Sequence, residues 1–239
     1  MPMKSRLVIV FVLLFAVLSE GAGSARAGAA LYPDLRTLRP TNLYFDRVVY
    51  ADGSTHHVLR FANTVWNAGS GRLTLEGQKR SKIYQRVFDA PKGGALVQRI
   101  YIGNDSVYHE GHAHYHLANF ASYLLLQKDA SGVYQATTKK GTKTSFCIMD
   151  TSRLSGSYSA QFTSCGQTYQ GMTVGWGDTY GANLIDQWID LGSSRLADGT
   201  YAVRSTADPL NKIAESNDGN NRGSTCFTVR SGAITIITC

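Results

Sequence analysis

The sequence predicts a mainly β protein, with an antiparallel β-sandwich core, long loops and few short helices. Charged residues make up only 17% of the 239 residues, whereas 24 Gly and 13 Tyr favour a body rich in strands and turns. Short runs of alternating polar and apolar residues are separated by turn signals roughly every 8–12 residues, which is typical of a sandwich. Sustained helical periodicity is nearly absent.

Individual strands are predicted where β-branched and aromatic residues lie between clusters of Gly, Asn, Asp and Ser. Ser131-Gly132 separates 124–127 from 133–136 and predicts a hairpin at this position. The other predicted strands are 57–61, 64–66, 82–87, 96–101, 200–205, 225–229 and 234–238.

Residues 1–27 are expected to be a secretory signal peptide. Two basic residues precede an apolar run at 7–18, and Ala25-Arg26-Ala27 supplies a cleavage site of the A-x-A type. This run is too short to span a bilayer as a helix, and no longer apolar run follows, so no membrane attachment is expected. The mature chain, 28–239, is expected to be one domain of a secreted, extracellular protein.

The charge distribution does not favour a nucleic-acid partner. The formal net charge of the whole chain is +7, and part of it lies in the predicted signal peptide. Lys and Arg are not clustered among aromatic residues, as a nucleic-acid-binding surface would require.

The cysteines predict two disulfides. An exported chain matures in an oxidising compartment, and all four Cys lie in the mature region. Four Cys allow three connectivities, of which we expect the local one, Cys147 with Cys165 and Cys226 with Cys239. Each such bridge closes a short loop and contributes roughly 3 kcal/mol on the chain-entropy model.

A cluster of histidines predicts a metal site. On a strand, alternate side chains share a face, so His112, His114 and His116 would point the same way. In an ideal strand the outer two would lie about 13 Å apart at the backbone, a span that metal–nitrogen bonds of about 2.0–2.1 Å barely close. We therefore expect the segment to bend, with Gly111 and Ala113 leaving room. Such a site accepts zinc or copper, and ligand type alone does not decide between them.

Three further motifs make this cluster recognisable. The run His109-Glu110-Gly111-His112-Ala113-His114-Tyr115-His116 resembles the copper-binding run of the lysyl oxidase family. Lys143-Thr144-Ser145-Phe146-Cys147 resembles the Lys-x-Ser-Phe-Cys stretch of that family. Asp178-Thr179-Tyr180-Gly181-Ala182, followed by Gln187-Trp188-Ile189-Asp190, resembles its Asp-Thr-Tyr-Gly-Ala…Gln-Trp-Ile-Asp segment. The resemblance implies that 28–239 is a stand-alone catalytic domain of this type.

The resemblance also implies cofactors. His112, His114 and His116 would bind copper. Lys143 and Tyr180 would form lysine tyrosylquinone, which arises when copper and O₂ oxidise the tyrosine ring and the lysine amine attacks it. The amine must be unprotonated to react, and burial of a lysine lowers its pKa.

The implied activity is that of a copper- and quinone-dependent amine oxidase. Its substrate would be a primary amine or a lysine-containing protein, converted with O₂ to an aldehyde, ammonia and hydrogen peroxide. A general base must remove the α-proton, and Asp178 and His109 are the candidates because they lie close to the motifs in sequence.

A calcium site is implied near the end of the domain. Residues 215–221 form an oxygen-rich turn, and Ca²⁺ prefers carboxylate and amide oxygens. The stretch resembles a calcium-binding segment of lysyl oxidase-like domains, although Asn217 stands where those relatives carry Asp. The expected ligands are Asp34, Leu35, Glu215, Asn217, Asn220 and Asn221.

Two other functions remain open on the sequence. A zinc-dependent hydrolase or lyase would use the three-histidine site to activate water. A non-catalytic copper-binding β-domain would hold the metal without ever forming the quinone.

Overall fold

The computed structural model describes residues 28–77, 82–110 and 113–239. The predicted signal peptide, 1–27, and the predicted ligand His112 lie outside these residues. The described part of the chain is mainly strand, contains no helix of seven residues or more, and pairs its strands antiparallel throughout. The predicted fold class is therefore confirmed. None of the described helices is long and apolar enough to cross a membrane.

The described residues form eighteen strands in four sheets. In chain order the strands are β1 (Leu35–Thr37), β2 (Thr41–Val49), β3 (Thr55–Asn67), β4 (Leu73–Glu76), β5 (Ile83–Phe88), β6 (Leu96–Gly103), β7 (Ser106–His109), β8 (His114–Ala118), β9 (Ala121–Lys128), β10 (Tyr134–Lys140), β11 (Ser145–Phe146), β12 (Ser152–Arg153), β13 (Tyr169–Met172), β14 (Trp176–Tyr180), β15 (Trp188–Gly192), β16 (Gly199–Ala207), β17 (Arg222–Arg230) and β18 (Ala233–Ile237). A 3₁₀ turn, Asp218–Asn220, precedes β17.

Strand β3 is the central strand of the six-stranded sheet, which contains Asp178 and Tyr180. It pairs with β1, β2, β14 and β15, and β12 extends the sheet beyond β14. The two runs predicted at 57–61 and 64–66 are thus one continuous strand of 13 residues. Its length lets it hold Tyr180 of β14 opposite Asn63 and Ile189 of β15 opposite Leu59.

Two other sheets pack against the core or carry the described histidines of the cluster. One has the order β10-β9-β16-β17-β18, and its first pair is the hairpin predicted at Ser131-Gly132. The other, β11-β8-β7, contains the predicted metal ligands His114 and His116. The fourth sheet has the order β13-β4-β5-β6.

The main core lies between these sheets and is filled by large apolar side chains. The side chains of Phe61, Phe120, Phe146 and Phe227 are at most 2% exposed. Phe146 also contacts the ring of Tyr180 edge to face, with ring centroids 5.1 Å apart. Burial of each phenylalanine ring stabilises the fold by roughly 1.5–3 kcal/mol. The contact with Phe146 also helps to fix the position of Tyr180, which the sequence predicts to be functional.

The turn after β3 is tied to the N-terminal arm by a buried asparagine. Asn67 Oδ1 accepts hydrogen bonds from the backbone N–H groups of Asp34 and Gly69, at 3.1 and 3.0 Å. Asn67 Nδ2 donates to the carbonyl oxygens of Gly71 and Met172, at 2.8 and 3.2 Å. Because every one of these groups lies in a turn or at a strand end, the side chain supplies partners that a sheet would otherwise provide.

Gly71 permits the closest backbone approach in this turn. A Cβ at this position would lie 2.0 Å from the Leu31 carbonyl oxygen. We expect Gly71→Ala to lower the free energy of unfolding by about 2 kcal/mol, because the backbone must move to relieve the overlap. Urea denaturation of the disulfide-bonded protein measures the change. Ser70→Ala, at the exposed neighbouring position, is the control, and an equal effect of both substitutions would contradict the steric explanation.

Candidate active site

A cavity of about 370 Å³ brings together side chains from the sequence motifs. The motifs are far apart in sequence, yet four sheet and loop segments place them around one space. The described residues that line it are His114, His116, Lys143, Cys147, Met149, Thr151, Cys165, Asp178, Thr179, Tyr180, Asn183, Leu184 and Ile185.

Two of the predicted copper ligands lie side by side at one end of this cavity. His114 and His116 alternate along β8 and share a face, and their Nε2 atoms are 3.0 Å apart. The ring of the buried His116 is oriented by Ser145, whose Oγ lies 3.2 Å from Nδ1. If Nδ1–H donates to this oxygen, the lone pair of Nε2 faces His114. The expected bend is present at Ala113, which has a φ of 55°.

The donor set fits a transition-metal ion. Two bonds of about 2.0 Å at angles of about 90–110° place two ligand nitrogens about 2.8–3.3 Å apart, which matches the separation of the two Nε2 atoms. Neutral imidazoles are common ligands of both copper and zinc. The arrangement of His114 and His116 therefore agrees with binding to one shared ion.

His109, one of the two candidate bases, belongs to the histidine cluster. It lies opposite His114 in the β7–β8 pair, and its ring stacks on that of His116 with centroids 4.9 Å apart. It is not among the described residues that line the cavity. The other candidate, Asp178, does line it.

Lys143 and Tyr180 meet inside the cavity. Lys143 Nζ lies 5.0 Å from the centroid of the Tyr180 ring, although the two residues come from different motifs. Lys143 follows β10, and its segment is held against β15 by a hydrogen bond from Thr142 N–H to the Trp188 carbonyl at 2.9 Å. The predicted cross-linking pair is therefore brought within reach of a small side-chain movement.

Burial changes the chemistry of the lysine. The side chain is buried, and desolvation lowers the pKa of Lys143 below its ordinary value of 10.5. The carboxylates of Asp186 and Asp178 oppose this effect but do not cancel it. The amine thus loses its proton, and becomes nucleophilic, at a lower pH than an exposed lysine.

The tyrosine is held by its hydroxyl. Tyr180 O–H donates to the Cys147 carbonyl oxygen at 2.6 Å. Burial, reinforced by the nearby charge of Asp178, raises the pKa of Tyr180 well above its ordinary value of 10. The phenol therefore keeps its proton to a higher pH than an exposed tyrosine does, and the ring is oriented by the hydrogen bond of its hydroxyl and by its edge-to-face contact with Phe146.

Asp178 lies deep beside this pair. It precedes Tyr180 by two residues on β14, and the residue is only 3% exposed. Burial raises the pKa of Asp178 well above that of an exposed carboxyl. A carboxylate in such surroundings is a stronger base than one in water, which is the property a proton acceptor needs.

Three more polar side chains complete what we term the buried polar cluster: Asn63, Tyr123 and Gln187, together with Asp178. Burial raises the pKa of the Tyr123 hydroxyl, which lies near the side chains of Gln187 and Asn63. Asn63 Oδ1, the Tyr123 hydroxyl, Asp178 Oδ2 and both amide atoms of Gln187 lie buried without a close hydrogen-bond partner in the described residues. Asp178 and Gln187 lie in the recognised motifs, whereas no sequence signal pointed to Asn63 or Tyr123.

Both predicted disulfides are present, Cys147–Cys165 and Cys226–Cys239. The first forms part of the cavity wall. Its loop is held by the buried carboxylate of Asp150, which accepts hydrogen bonds from the N–H groups of Gln161, Phe162 and Thr173. The Thr173 hydroxyl donates to the same carboxylate at 2.6 Å. Asp150 thus joins three segments that surround the disulfide.

The residues expected to bind calcium come from two distant segments that the fold brings together. The carboxylate of Glu215 accepts hydrogen bonds from the Leu35 N–H and from Asn221 Nδ2. Asn217 caps the 3₁₀ turn by accepting from Gly219 N–H at 3.0 Å. Asp34 Oδ1, Asn220 Oδ1 and Asn221 Oδ1 are buried oxygens without a hydrogen-bond donor in the described residues. Such oxygens suit a hard cation.

Comparison with known proteins identifies relatives of the chain. The model of the family described as Lysyl oxidase matches residues 90–239. The chain is 36% identical over 115 residues to human protein-lysine 6-oxidase, and this segment covers 48% of the chain and 26% of the human protein. It is 37% identical over 115 residues to the pig protein-lysine 6-oxidase, covering 43% of that protein. It is 34% identical over 116 residues to mouse lysyl oxidase homolog 4, covering 14% of that protein.

The matched segment is thus about a quarter of the length of the human relative and less than half that of the pig relative. The family match, however, covers more than half of this chain and includes the histidine hairpin, Lys143, Tyr180 and both disulfides. The chain belongs to the lysyl oxidase family.

Proposed function

We propose that this chain is an exported amine oxidase that depends on copper and on a quinone formed from Lys143 and Tyr180. It would oxidise primary amines, including lysyl side chains, to aldehydes with O₂ and would release ammonia and hydrogen peroxide. The observation that carries the proposal is the 5.0 Å distance between Lys143 Nζ and the Tyr180 ring, in a cavity that His114 and His116 also line.

Copper would be held by His114 and His116, with His112 as the third predicted ligand. When bound, copper with O₂ supplies the oxidation that converts the tyrosine ring into a quinone. Other residues of the chain orient the Tyr180 ring and lower the pKa of the Lys143 amine for this chemistry. The Cys147 carbonyl and Phe146 fix the ring of Tyr180, and burial leaves the Lys143 amine unprotonated at a lower pH than usual.

The shape of the cavity suits an unbranched amine. Its volume of about 370 Å³ admits a lysyl side chain, and the exposed side chains of Leu184 and Ile185 form an apolar rim that can contact the methylene groups. Asp178, the only candidate base that lines the cavity among the described residues, would accept the α-proton of the substrate. Its buried carboxylate has the raised pKa that this role requires.

A labelling experiment on the copper-matured protein tests the proposal. Phenylhydrazine should give a coloured covalent adduct, and a proteolytic digest should contain the Lys143 peptide cross-linked to the Tyr180 peptide. Addition of a primary amine should generate peroxide. Protein that holds zinc after maturation in excess copper, and that contains no cross-linked peptide, would instead support a zinc-dependent hydrolase or lyase. Copper without a cross-link would support a non-catalytic copper-binding domain.

Export is proposed on the same basis. The two disulfides need an oxidising compartment to form and persist. Residues 1–27 would direct the chain there and be removed. Amino-terminal sequencing of the secreted protein should begin near Gly28, and an intact Met1 in the secreted form would contradict this assignment.

We also propose calcium binding at Asp34, Leu35, Glu215, Asn217, Asn220 and Asn221. Burial raises the pKa of Glu215 to about 7. An unfolded Glu loses its proton near pH 4.5, so without a cation the folded state loses stability as the pH rises from 4.5 to 7. A bound cation would offset this cost because it favours the ionised carboxylate.

Glu215→Gln is therefore expected to abolish stabilisation by calcium. At a concentration about 100-fold above its Kd, calcium should raise the Tm of the wild-type protein by about 5–10 °C. This increase should disappear in Glu215→Gln and persist in Glu76→Gln, which removes a partly buried carboxylate of β4 that pairs with Arg86 and Arg99. Asn217→Asp, which restores the charge present in relatives, should bind calcium more tightly. Equal calcium shifts in the wild type and Glu215→Gln, measured by thermal melting, would refute the site.

A further inference from the structure

The wall of the cavity next to His114 is rich in sulfur. A ring nitrogen of His114 and the Sγ atoms of Cys147 and Cys165 all lie within 4.8 Å of one another. The Sδ atom of Met149 lies 3.8 Å from Cys165 Sγ and also lines the cavity. One imidazole, one thioether and the two sulfurs of a disulfide therefore converge on one small region. In the disulfide form these sulfurs have no thiolate charge and bind metals poorly.

We propose that the chain with the Cys147–Cys165 bridge reduced binds one Cu⁺ ion through Cys147, Cys165 and His114, with Met149 as a fourth, weaker ligand. An external dithiol reduces the bridge by exchange: its two thiols become a disulfide while the S–S bond of the chain becomes two thiols. Binding of Cu⁺ then displaces the two thiol protons. Thiolate and thioether sulfurs are the ligands that select this soft ion.

The fold would keep these ligands together after the S–S bond is opened. The Cα atoms of Cys147 and Cys165 are 5.6 Å apart. Two thiolates on one ion with bonds of about 2.3 Å lie about 3.8 Å apart, so a small rotation of each side chain from the disulfide suffices. Asp150 holds the loop before Cys165 through Gln161 and Phe162, and the Cys147 carbonyl is fixed by Tyr180.

The position of His114 links the two metal sites. The same imidazole lies 3.0 Å from His116 in the histidine cluster and within 4.8 Å of both sulfurs. A Cu⁺ ion on the thiolates therefore withdraws His114 from the histidine site. An external disulfide, itself reduced to two thiols, would re-form the Cys147–Cys165 bond, release the Cu⁺ ion and return His114 to the histidine site. The inference concerns the reduced chain and does not depend on the proposed oxidase activity.

The second disulfide provides an internal comparison. Cys226 and Cys239 form a bridge of similar span, with Cα atoms 5.1 Å apart. Within the described part of the chain, no histidine or carboxylate lies close enough to this pair to complete a set of three metal ligands. Reduction of the second bridge thus yields a dithiol of the same kind without the neighbouring imidazole.

Anaerobic competition with bicinchoninate, a chromogenic Cu⁺ chelator, tests the proposal on the full mature chain. The protein is reduced with dithiothreitol and desalted before the titration. We expect one tightly bound Cu⁺ in the reduced wild type, and at least about 100-fold weaker binding in both the oxidised protein and a Cys147→Ser/Cys165→Ser variant. A Cys226→Ser/Cys239→Ser variant should bind as the wild type does. The reverse order of these two variants would overturn the proposal.

Variants that each remove one proposed ligand distinguish a Cu⁺ site formed by the fold from binding by the two thiols alone. His114→Gln and Met149→Leu should each weaken Cu⁺ binding by about tenfold or more, whereas His56→Gln should leave it unchanged. Circular dichroism of each reduced variant reports whether the strands persist. Affinities that are the same in the wild type, His114→Gln and Met149→Leu would mean that the thiols bind without the fold, and the inference would be wrong.

Discussion

Lys143→Ala is expected to abolish both amine oxidation and the phenylhydrazine adduct, while bound copper stays nearly unchanged. The Lys143 amine is the proposed nucleophile and lies 5.0 Å from the centroid of the Tyr180 ring, and no other lysine lines the cavity among the described residues. Loss of the proposed covalent cofactor would remove the whole catalysed reaction, so turnover should fall by at least about 10⁴-fold. Peroxide release, the absorbance of the adduct and metal analysis measure the three properties separately.

Lys140→Ala is the matched control because this lysine is exposed three residues earlier. It should retain full activity. Lys143→Arg should be as inactive as Lys143→Ala, since a guanidinium keeps its proton throughout the accessible pH range. An active Lys143→Ala enzyme would show that the cofactor assignment is wrong.

The same lysine predicts how cofactor formation depends on pH. Because burial lowers the pKa of Lys143, the reactive neutral amine accumulates below pH 10.5. The rate at which copper-loaded precursor develops the phenylhydrazine-reactive group should therefore rise with pH and level off before that value.

Asp150→Ala is expected to cause the largest loss of stability among single substitutions near the site. The buried carboxylate accepts hydrogen bonds from the N–H groups of Gln161, Phe162 and Thr173 and from the Thr173 hydroxyl. Removal of a buried acceptor leaves these donors unpaired, at about 1–3 kcal/mol each. We expect the free energy of unfolding to fall by about 4 kcal/mol or more, measured by urea denaturation with the disulfides intact.

Asp129→Ala is the appropriate comparison, because Asp129 also accepts backbone hydrogen bonds, from Ser131 and Val133, but lies on the surface. Water can replace the lost acceptor there, so the effect should be much smaller. Asp150→Asn, which keeps one carbonyl oxygen, should lie between the two. Equal losses in Asp150→Ala and Asp129→Ala would mean that the buried network contributes little to stability.

Several features of the site could be predicted because they depend on residues close together in the sequence. Alternation along a strand correctly placed His114 and His116 on one face, and the required bend occurs at Ala113. The local spacing of the cysteines gave the correct pairing. The proximity of Lys143 and Tyr180 was predicted from the resemblance alone, since the 36 positions between them hold no periodic signal that would bring the two together.

The parts that escaped prediction depend on long-range packing. Asn63 and Tyr123 look like ordinary strand residues, and only the pairing of β3 with β14 and the packing of β9 bring them close to Asp178. Likewise, two short apolar runs were predicted where β3 is one strand, because a break in local propensity at Ala62-Asn63 is overridden when neighbouring strands pair on both edges. The role of His109 as a base stays a prediction, and sheet register places this residue opposite His114.

The buried polar cluster limits the thermal stability of the fold. Polar groups enclosed without close partners lower the stability of a fold, so apolar replacements such as Asn63→Leu or Gln187→Leu offer a gain wherever the backbone can accept them. The same replacements would remove polar side chains next to Asp178 and Tyr180. Selection for thermal endurance alone should therefore favour changes here, whereas selection that also demands turnover should leave these positions untouched and improve surface loops instead.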